Sequence, residues 1–157
     1  MKVELWAVGK TSFDYLNDGI AIYEKRLKHY LTFSVQIIPD LKQRKNLNQE
    51  QIKTKEGEAI LKKMKSDDYL ILMDERGKMQ SSLQFADMMD KFTYHGSKRI
   101  IFLIGGAYGF SDAVYKRSQR KISLSQMTFS HQMVRLFFVE QLYRAMTILK
   151  NEPYHHE

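Results

Sequence analysis

Four short segments of the chain combine glycine, charged and hydroxyl residues in the manner of ligand sites. Each follows a predicted strand, and they are Gly9-Lys10, 74–78 (D-E-R-G-K), 105–110 (G-G-A-Y-G-F) and 126–131 (Q-M-T-F-S-H). Open α/β sheets bind ligands at the carboxyl ends of their strands. The four segments therefore predict one small-molecule site at a single edge of a sheet. Glycine there permits positive φ and lets a ligand approach the backbone.

Several common chemistries lack their sequence signatures. The glycine segment is not G-x-G-x-x-G, and no G-x-x-x-x-G-K-[ST] occurs, so a Rossmann dinucleotide site and a P-loop are poorly supported. No serine stands in G-x-S-x-G, which excludes a hydrolase elbow. The five histidines have no metal-ligand spacing, and cysteine is absent, so thiolate zinc sites, iron–sulfur clusters and cysteine nucleophiles are excluded. We predict no metal.

Charged residues also occur in the last predicted helix, which is apolar on nearly its whole circumference. Glu140 and Arg144 are spaced i,i+4, and Arg135 lies one turn earlier. A surface ion pair accounts for this spacing as well as a functional pair does, and the sequence leaves both open. A helix that is apolar all round must be buried all round. We therefore expect a homodimer packed through this helix, the alternative being that a neighbouring helix of the same chain covers it.

Composition limits the class of protein. The chain has 157 residues, 43% hydrophobic and 27% charged, which favours one soluble globular domain over residues 1–157. No apolar run reaches the ~18 residues that span a bilayer, so we expect no membrane association. The absence of cysteine fits a reducing compartment and an acid at position 4 does not suit a signal peptide, so we expect a cytoplasmic protein.

The net charge of +7 favours a polyanionic partner, nucleic acid being the commonest, although a basic surface also serves solubility. One basic cluster (Lys116, Arg117, Arg120 and Lys121) could form a phosphate-binding rim together with Arg76 and Lys78.

Apolar runs alternate with amphipathic stretches along the chain. This alternation predicts an α/β fold, a mostly parallel sheet with helices on both faces. The predicted strands are 3–9, 33–38, 69–73, 99–104 and 122–129. The predicted helices are 13–31, 49–65, 83–94, 111–117 and a long one, capped by Ser130, that ends near Lys150. Residues 41–48 are rich in lysine, arginine and glutamine with little to bury, and we expect a mobile loop.

Taken together, the motifs resemble one family across essentially the whole chain. They are V-E-L-W-A-V-G-K, D-E-R-G-K-M-Q-S-S, F-L-I-G-G-A-Y-G-F, I-S-L-S-Q-M-T-F-S-H-Q-M-V-R with E-Q-L-Y-R-A, and a terminal E-P-Y-H. The chain resembles the large-subunit (23S) ribosomal RNA pseudouridine N3-methyltransferases, small members of the trefoil-knot (SPOUT) class. Ser130 stands where many members carry proline. The resemblance implies a deep C-terminal knot, S-adenosylmethionine as cofactor, a homodimer, and ribosomal RNA in the assembled ribosome as partner.

The resemblance also implies site residues. Cofactor contacts would fall at Met73, Gly105, Leu124, Ser125, Gln126, Met127, Thr128 and Phe129. Removing the N3 proton needs a base, for which Glu140, His131 and His155 are candidates. Arg144 could stabilise the charge that develops on the base oxygens, and Tyr154 could pack against the base or hydrogen-bond it. Two alternatives stay open: a non-enzymatic RNA- or ribosome-binding protein, and a knotted methyltransferase that acts on tRNA.

Overall fold

Five strands of a computed structural model, which describes residues 1–156, form one sheet in the order β2-β1-β4-β3-β5, and every neighbouring pair is parallel. The strands are β1 (Lys2–Val8), β2 (Thr32–Ile38), β3 (Asp68–Met79), β4 (Arg99–Ile104) and β5 (Arg120–Ser123). The helices are α1 (Asp14–Leu27), α2 (Gln49–Lys62), α3 (Ser82–Thr93), α4 (Asp112–Arg117) and α5 (Met133–Leu149).

The strands bury both of their faces, as their continuous apolar sequences predict. One core lies between the sheet and α1, α3 and α5, where Phe102 of β4 packs on Phe138 of α5 with ring centroids 4.7 Å apart. The second core lies on the opposite face, where Trp6, Leu70 and Leu103 meet the side chains of α2 and α4. The predicted parallel sheet with helices on both faces is confirmed, and the threading of a knot stays a prediction.

Two strand boundaries in the sequence prediction are wrong. Strand β5 ends at Ser123, not at residue 129, because Ser123 Oγ donates to the Ser125 carbonyl (2.8 Å) and Met127 N donates to Ser125 Oγ (3.0 Å). These two bonds turn the backbone out of the sheet. Strand β3 continues past residue 73 to Met79 after a register shift between Met73 and Lys78.

Glycine permits this extension of β3. A Cβ on Gly77 would lie 2.6 Å from backbone atoms of Ile122, so any other residue would separate the two strands. The D-E-R-G-K segment is therefore part of a bulged strand and not the loop that its composition suggests.

The start of α5 follows the sequence prediction. Gln132 is the residue directly before α5 and makes no capping bond with its side chain. Ser130 Oγ instead accepts from Met133 N (3.1 Å) and the Ser130 carbonyl accepts from Val134 N (3.1 Å), so Ser130 caps the turn that leads into the helix. Helices α1 and α3 flank α5, and they cover more of it within one chain than the sequence predicts. Among the described residues of α5, Phe137 is the large apolar side chain left exposed, at 39%. No helix within residues 1–156 is long and apolar enough to cross a bilayer.

Candidate active site

A cavity of about 400 Å³ opens at the carboxyl ends of β4 and β5, beside the register shift in β3. Its volume is within the ~300–1,000 Å³ typical of small-molecule sites. Three chain segments form most of it: the middle of β3 at its register shift (Met73–Glu75), the glycine loop (residues 105–110) and the end of β5 with the segment that follows (residues 122–131). Apolar side chains cover part of the wall, among them Ile104, Ile122, Leu124, Phe129 and Val134. The predicted edge of the sheet is therefore the edge that carries the cavity.

The glycine loop brings bare backbone to the cavity. A Cβ on Gly105 would lie 3.0 Å from the Phe110 ring, and Gly109 has φ +82°, a conformation that favours glycine. The Gly109 amide donates to the Gly106 carbonyl (3.2 Å), which closes the loop as a tight turn. The missing side chain of Gly105 makes room for the Phe110 ring, and the Gly105 backbone lines the cavity.

One wall of the cavity is acidic. Asp74 accepts from the Tyr115 hydroxyl (2.5 Å), and burial together with this bond raises the pKa of Tyr115 to about 12. Glu75 accepts from Thr128 Oγ1 (3.2 Å), which ties β3 to the segment after β5. Two carboxylates on one wall favour a cationic group in the cavity.

His131 lies at the lip of the cavity, where it is partly in contact with solvent and partly packed against the protein. Desolvation of the ring and repulsion from Arg135 lower the pKa of His131. At neutral pH the imidazole is therefore uncharged, with a lone pair that can accept a proton.

Arg135 holds this lip in place and is fully buried. Its guanidinium donates to the carbonyls of Val8 (2.8 Å), Gly9 (2.7 Å) and His131 (3.1 Å), and to Thr11 Oγ1 (3.0 Å). It thereby joins the end of β1 to the first turn of α5. Arg135 therefore has a structural role, whereas the sequence left open whether the charged residues of α5 are structural or functional.

Four other predicted catalytic residues form one group, which we name the tail cluster: Glu140, Arg144, Tyr154 and His155. Arg144 Nη2 lies 2.6 Å from Glu140 Oε1, the Tyr154 hydroxyl donates to the same oxygen (3.0 Å), and Arg144 Nη1 lies 3.1 Å from His155 Nδ1. The Arg144 guanidinium also stacks 4.8 Å from the Tyr154 ring centroid. Burial and the hydrogen bonds to Tyr23 and Glu140 raise the pKa of Tyr154, so its hydroxyl stays protonated.

The tail cluster does not line the cavity of its own chain. Val134 is the last cavity residue on α5, and Glu140 is six residues further on, about 9 Å along the helix axis. His131 is thus the one predicted catalytic residue at the cavity.

Of the eight predicted cofactor contacts, seven line the cavity. The eighth, Gln126, lies instead in a neighbouring groove beside Met79 and Gln84. Sequence reasoning missed Glu56, which lies beneath the glycine loop, its carboxylate 2.5 Å from the position of a Cβ on Gly106. The signal in the sequence was a single acid, Glu56, on the narrow apolar face of α2.

The predicted basic rim forms only in part. Lys121 lies 5.5 Å from the centroid of the Tyr115 ring, on which Arg76 also acts. The next residue, Ile122, pairs with Lys78. Arg117 donates to the carbonyls of Lys65 (3.0 Å) and Asp68 (2.9 Å), at the start of β3, whereas Arg76 and Lys78 lie near its other end. Within residues 1–156 no group of His, Asp or Glu side chains is arranged to hold a metal ion.

Comparison with known proteins identifies the family to which this fold belongs. Among solved structures, a probable methylase family protein from Haemophilus influenzae has the same fold, with a TM-score of 0.52, 13% identity, and coverage of 95% of this chain and 66% of that chain. The family model described as "Predicted SPOUT methyltransferase" matches residues 1–155. The chain belongs to the SPOUT methyltransferase family.

Curated relatives match over their full length. The Ribosomal RNA large subunit methyltransferase H of Parabacteroides distasonis is 55% identical over 157 residues, with 100% of both chains covered. The protein of the same name from Christiangramia forsetii is 58% identical over 156 residues, with 99% of both chains covered. That from Flavobacterium psychrophilum is 57% identical over 157 residues, again with both chains fully covered.

Proposed function

We propose that this methyltransferase moves a methyl group from S-adenosylmethionine to N3 of a pseudouridine in large-subunit ribosomal RNA, on the assembled ribosome. The observation that carries the proposal is the cavity at the strand ends, which gathers seven of the eight residues expected to contact the cofactor. Full-length identity of more than half to relatives named for ribosomal RNA methylation supports the substrate class.

The residues of the cavity fit S-adenosylmethionine. Apolar side chains such as Leu124 and Phe129 suit an adenine ring, and the Gly105 backbone that lines the cavity can contact a ribose or methionine portion. The carboxylates of Asp74 and Glu75 favour a cationic ligand. When bound, this cofactor supplies a methyl group on a sulfonium and leaves as a neutral thioether, which needs no metal.

The protein must then take the imide proton from N3 and hold the base in line. His131 is uncharged at the cavity lip and can accept that proton. Glu140 and His155 are the other candidates, and they belong to the tail cluster. There Arg144 can stabilise negative charge on the base oxygens, and the protonated Tyr154 hydroxyl can donate a hydrogen bond.

A homodimer would bring the tail cluster to a cavity. Because Glu140 lies about 9 Å beyond the cavity on its own helix, a single chain separates the two parts of the proposed site. The exposed Phe137 lies on α5 between them and offers an apolar contact for a second copy. Packing through α5 would set the tail cluster of one chain against the cavity of the other.

The net charge of +7 suits a ribosomal substrate, and a ribosomal substrate places the protein in the cytoplasm. A tRNA substrate remains the second candidate, because the cavity and the charge serve either RNA.

The test is methylation of ribosomes and of tRNA, each purified from cells that lack this gene, with radiolabelled S-adenosylmethionine. We expect one labelled pseudouridine per ribosome, located by mass spectrometry of nuclease fragments, and no label in tRNA. Label in tRNA alone would show that the substrate is tRNA and not ribosomal RNA. Absence of any heat of cofactor binding in calorimetry would overturn the cofactor assignment.

A further inference from the structure

The cavity and the surface beyond its lip carry opposite charges. Asp74 and Glu75 line the cavity on the side formed by β3, whereas the exposed cations that follow them, Arg76 and Lys78, do not line it. Beyond His131, at the lip of the cavity, lie the segments that follow β1 and β2. They do not line the cavity itself, and their cations Lys10, Lys42, Arg44 and Lys45 are all exposed. A phosphate backbone is repelled by the acidic wall of the cavity and attracted by the cations beyond its lip.

The cations after β2 belong to residues 41–48, which we name the basic loop. It carries Lys42, Arg44 and Lys45 and no acid, and it joins the end of β2 to the start of α2. Its far end is fixed, because Asn48 caps α2 by accepting from Gln51 N (2.8 Å) while Gln51 Oε1 accepts from Asn48 N (2.9 Å). The cations thus project from a loop that is anchored where α2 begins.

A chain of contacts leads from the basic loop to the cavity lip. Asp40, directly before the loop, packs on Gly9, with its carboxylate 2.6 Å from the position of a Cβ there. Arg135 joins the Gly9 carbonyl to the His131 carbonyl. Gln132 Nε2 donates to the Lys10 carbonyl (3.1 Å), which places Lys10 beside the same turn of α5.

The charges of Asp40 and Arg44 affect the pKa values of His131 and Glu56, which agrees with this proximity. Asp40 raises the pKa of His131 while Arg44 and Arg135 lower it. Arg44 and Asp40 also act on Glu56, beneath the glycine loop, where burial is the main cause of a raised pKa. Arg44 itself lies 3.6 Å from Asp40 in an exposed pair, a weak interaction that leaves it able to bind a phosphate.

We propose that the basic loop, with Lys10, is the surface that binds the phosphate backbone of the RNA next to the target nucleotide. This inference rests on the proposed function. RNA enters from the β1–β2 side, and the acidic wall of the cavity keeps phosphates away from the place of the cationic methyl donor. The basic loop determines how tightly and in which position the RNA binds, whereas the residues of the cavity carry out the methyl transfer.

The test compares two triple variants. K42A/R44A/K45A removes three cations from the basic loop, and K62A/K63A/K65A removes three exposed cations from the end of α2 and the turn that follows, beyond the amino end of β3. We expect the loop variant to raise KM for ribosomes about tenfold. In a plot of the logarithm of the association constant for ribosomes against the logarithm of the salt concentration, the slope should become less steep by about two to three. The control variant should stay near wild type, and both should bind S-adenosylmethionine with unchanged affinity.

Unchanged KM and salt slope in the loop variant, or an equal change in the control, would overturn the proposal. Photo-crosslinking from a reactive side chain at position 45 adds a direct readout. Crosslinks to ribosomal RNA are expected, and crosslinks to ribosomal protein alone would contradict the inference. If the wild-type protein methylates no ribosome at all, the proposed function fails instead, so the two failures are distinguishable.

Discussion

Glu56 is a buried acid, 6% exposed, and within residues 1–156 its Oε1 has no hydrogen-bond partner. Burial raises its pKa, so the folded protein favours the protonated form. Folding then becomes less favourable as the pH rises through the native pKa, because the unfolded chain gives up the proton more readily. The carboxylate beneath the glycine loop is therefore a stability cost at neutral pH.

Replacing this acid by its neutral isostere removes the cost. We expect E56Q to raise the free energy of unfolding at neutral pH by about 1 kcal/mol and to have little effect below the ordinary pKa of 4.5. Urea unfolding at two pH values measures this. Glu58→Gln, an exposed acid on the same helix, is the matched control and should change stability at neither pH. A less stable E56Q at neutral pH would show that the carboxylate has a partner in solution.

At the scale of single residues, the sequence predicts which residues lie at the site better than it predicts their hydrogen-bond partners. The motif around His131 identifies the segment that lines the cavity, and the cap at Ser130 follows from its place before an apolar helix. The role of Arg135 could not be predicted, because its acceptors Val8 and Gly9 lie 127 and 126 residues earlier in the chain.

At the scale of elements, β3 and β5 depend on one glycine for their pairing beside the cavity. In G77A the new methyl group would meet the backbone of Ile122, and we expect a loss of about 1–3 kcal/mol in stability together with weaker cofactor binding. Gly96→Ala is the matched control, since a Cβ there meets nothing within 4 Å. Thermal unfolding and calorimetry with S-adenosylmethionine measure both effects. Equal stability of the two variants would contradict the close approach.

The chain terminus is the second element with a separable role. A protein that ends after Pro153 loses Tyr154 and His155 from the tail cluster but no residue of the cavity. We expect its methylation of ribosomes to fall below detection while its affinity for S-adenosylmethionine stays within about twofold. A protein that ends after His155 keeps the tail cluster and is the control. Full turnover in the shorter protein would show that Tyr154 and His155 take no part in the reaction.

Element boundaries show why sequence prediction succeeds in one strand and fails in another. Strand β4, R-I-I-F-L-I, is predicted to the residue because it is an uninterrupted apolar run that ends at two glycines. Residues 124–129, L-S-Q-M-T-F, are only half apolar, and serine hydrogen bonds to the backbone turn them out of the sheet. Such local side-chain bonds are not visible in hydrophobic periodicity.

At the scale of the whole molecule, the proposed homodimer makes a prediction about Phe137. Introducing a charge at this exposed residue of α5 should prevent a second copy from packing there. We expect F137E to be monomeric at micromolar concentration in gel filtration with light scattering, and Y94E, at a residue that is 84% exposed, to keep the wild-type mass. A wild-type protein that is itself monomeric would refute the dimer.

The order of the strands has a consequence for synthesis of the chain. Strand β4 enters the middle of the sheet late, and β5 adds the edge beside β3 later still. Residues 123–134, which complete the cavity wall, therefore emerge from the exit tunnel after most of the sheet has been made. A nascent chain in which these residues are still inside the ribosome holds an open, unfinished cleft, so the pocket for the methyl donor is completed only after the other walls have been made.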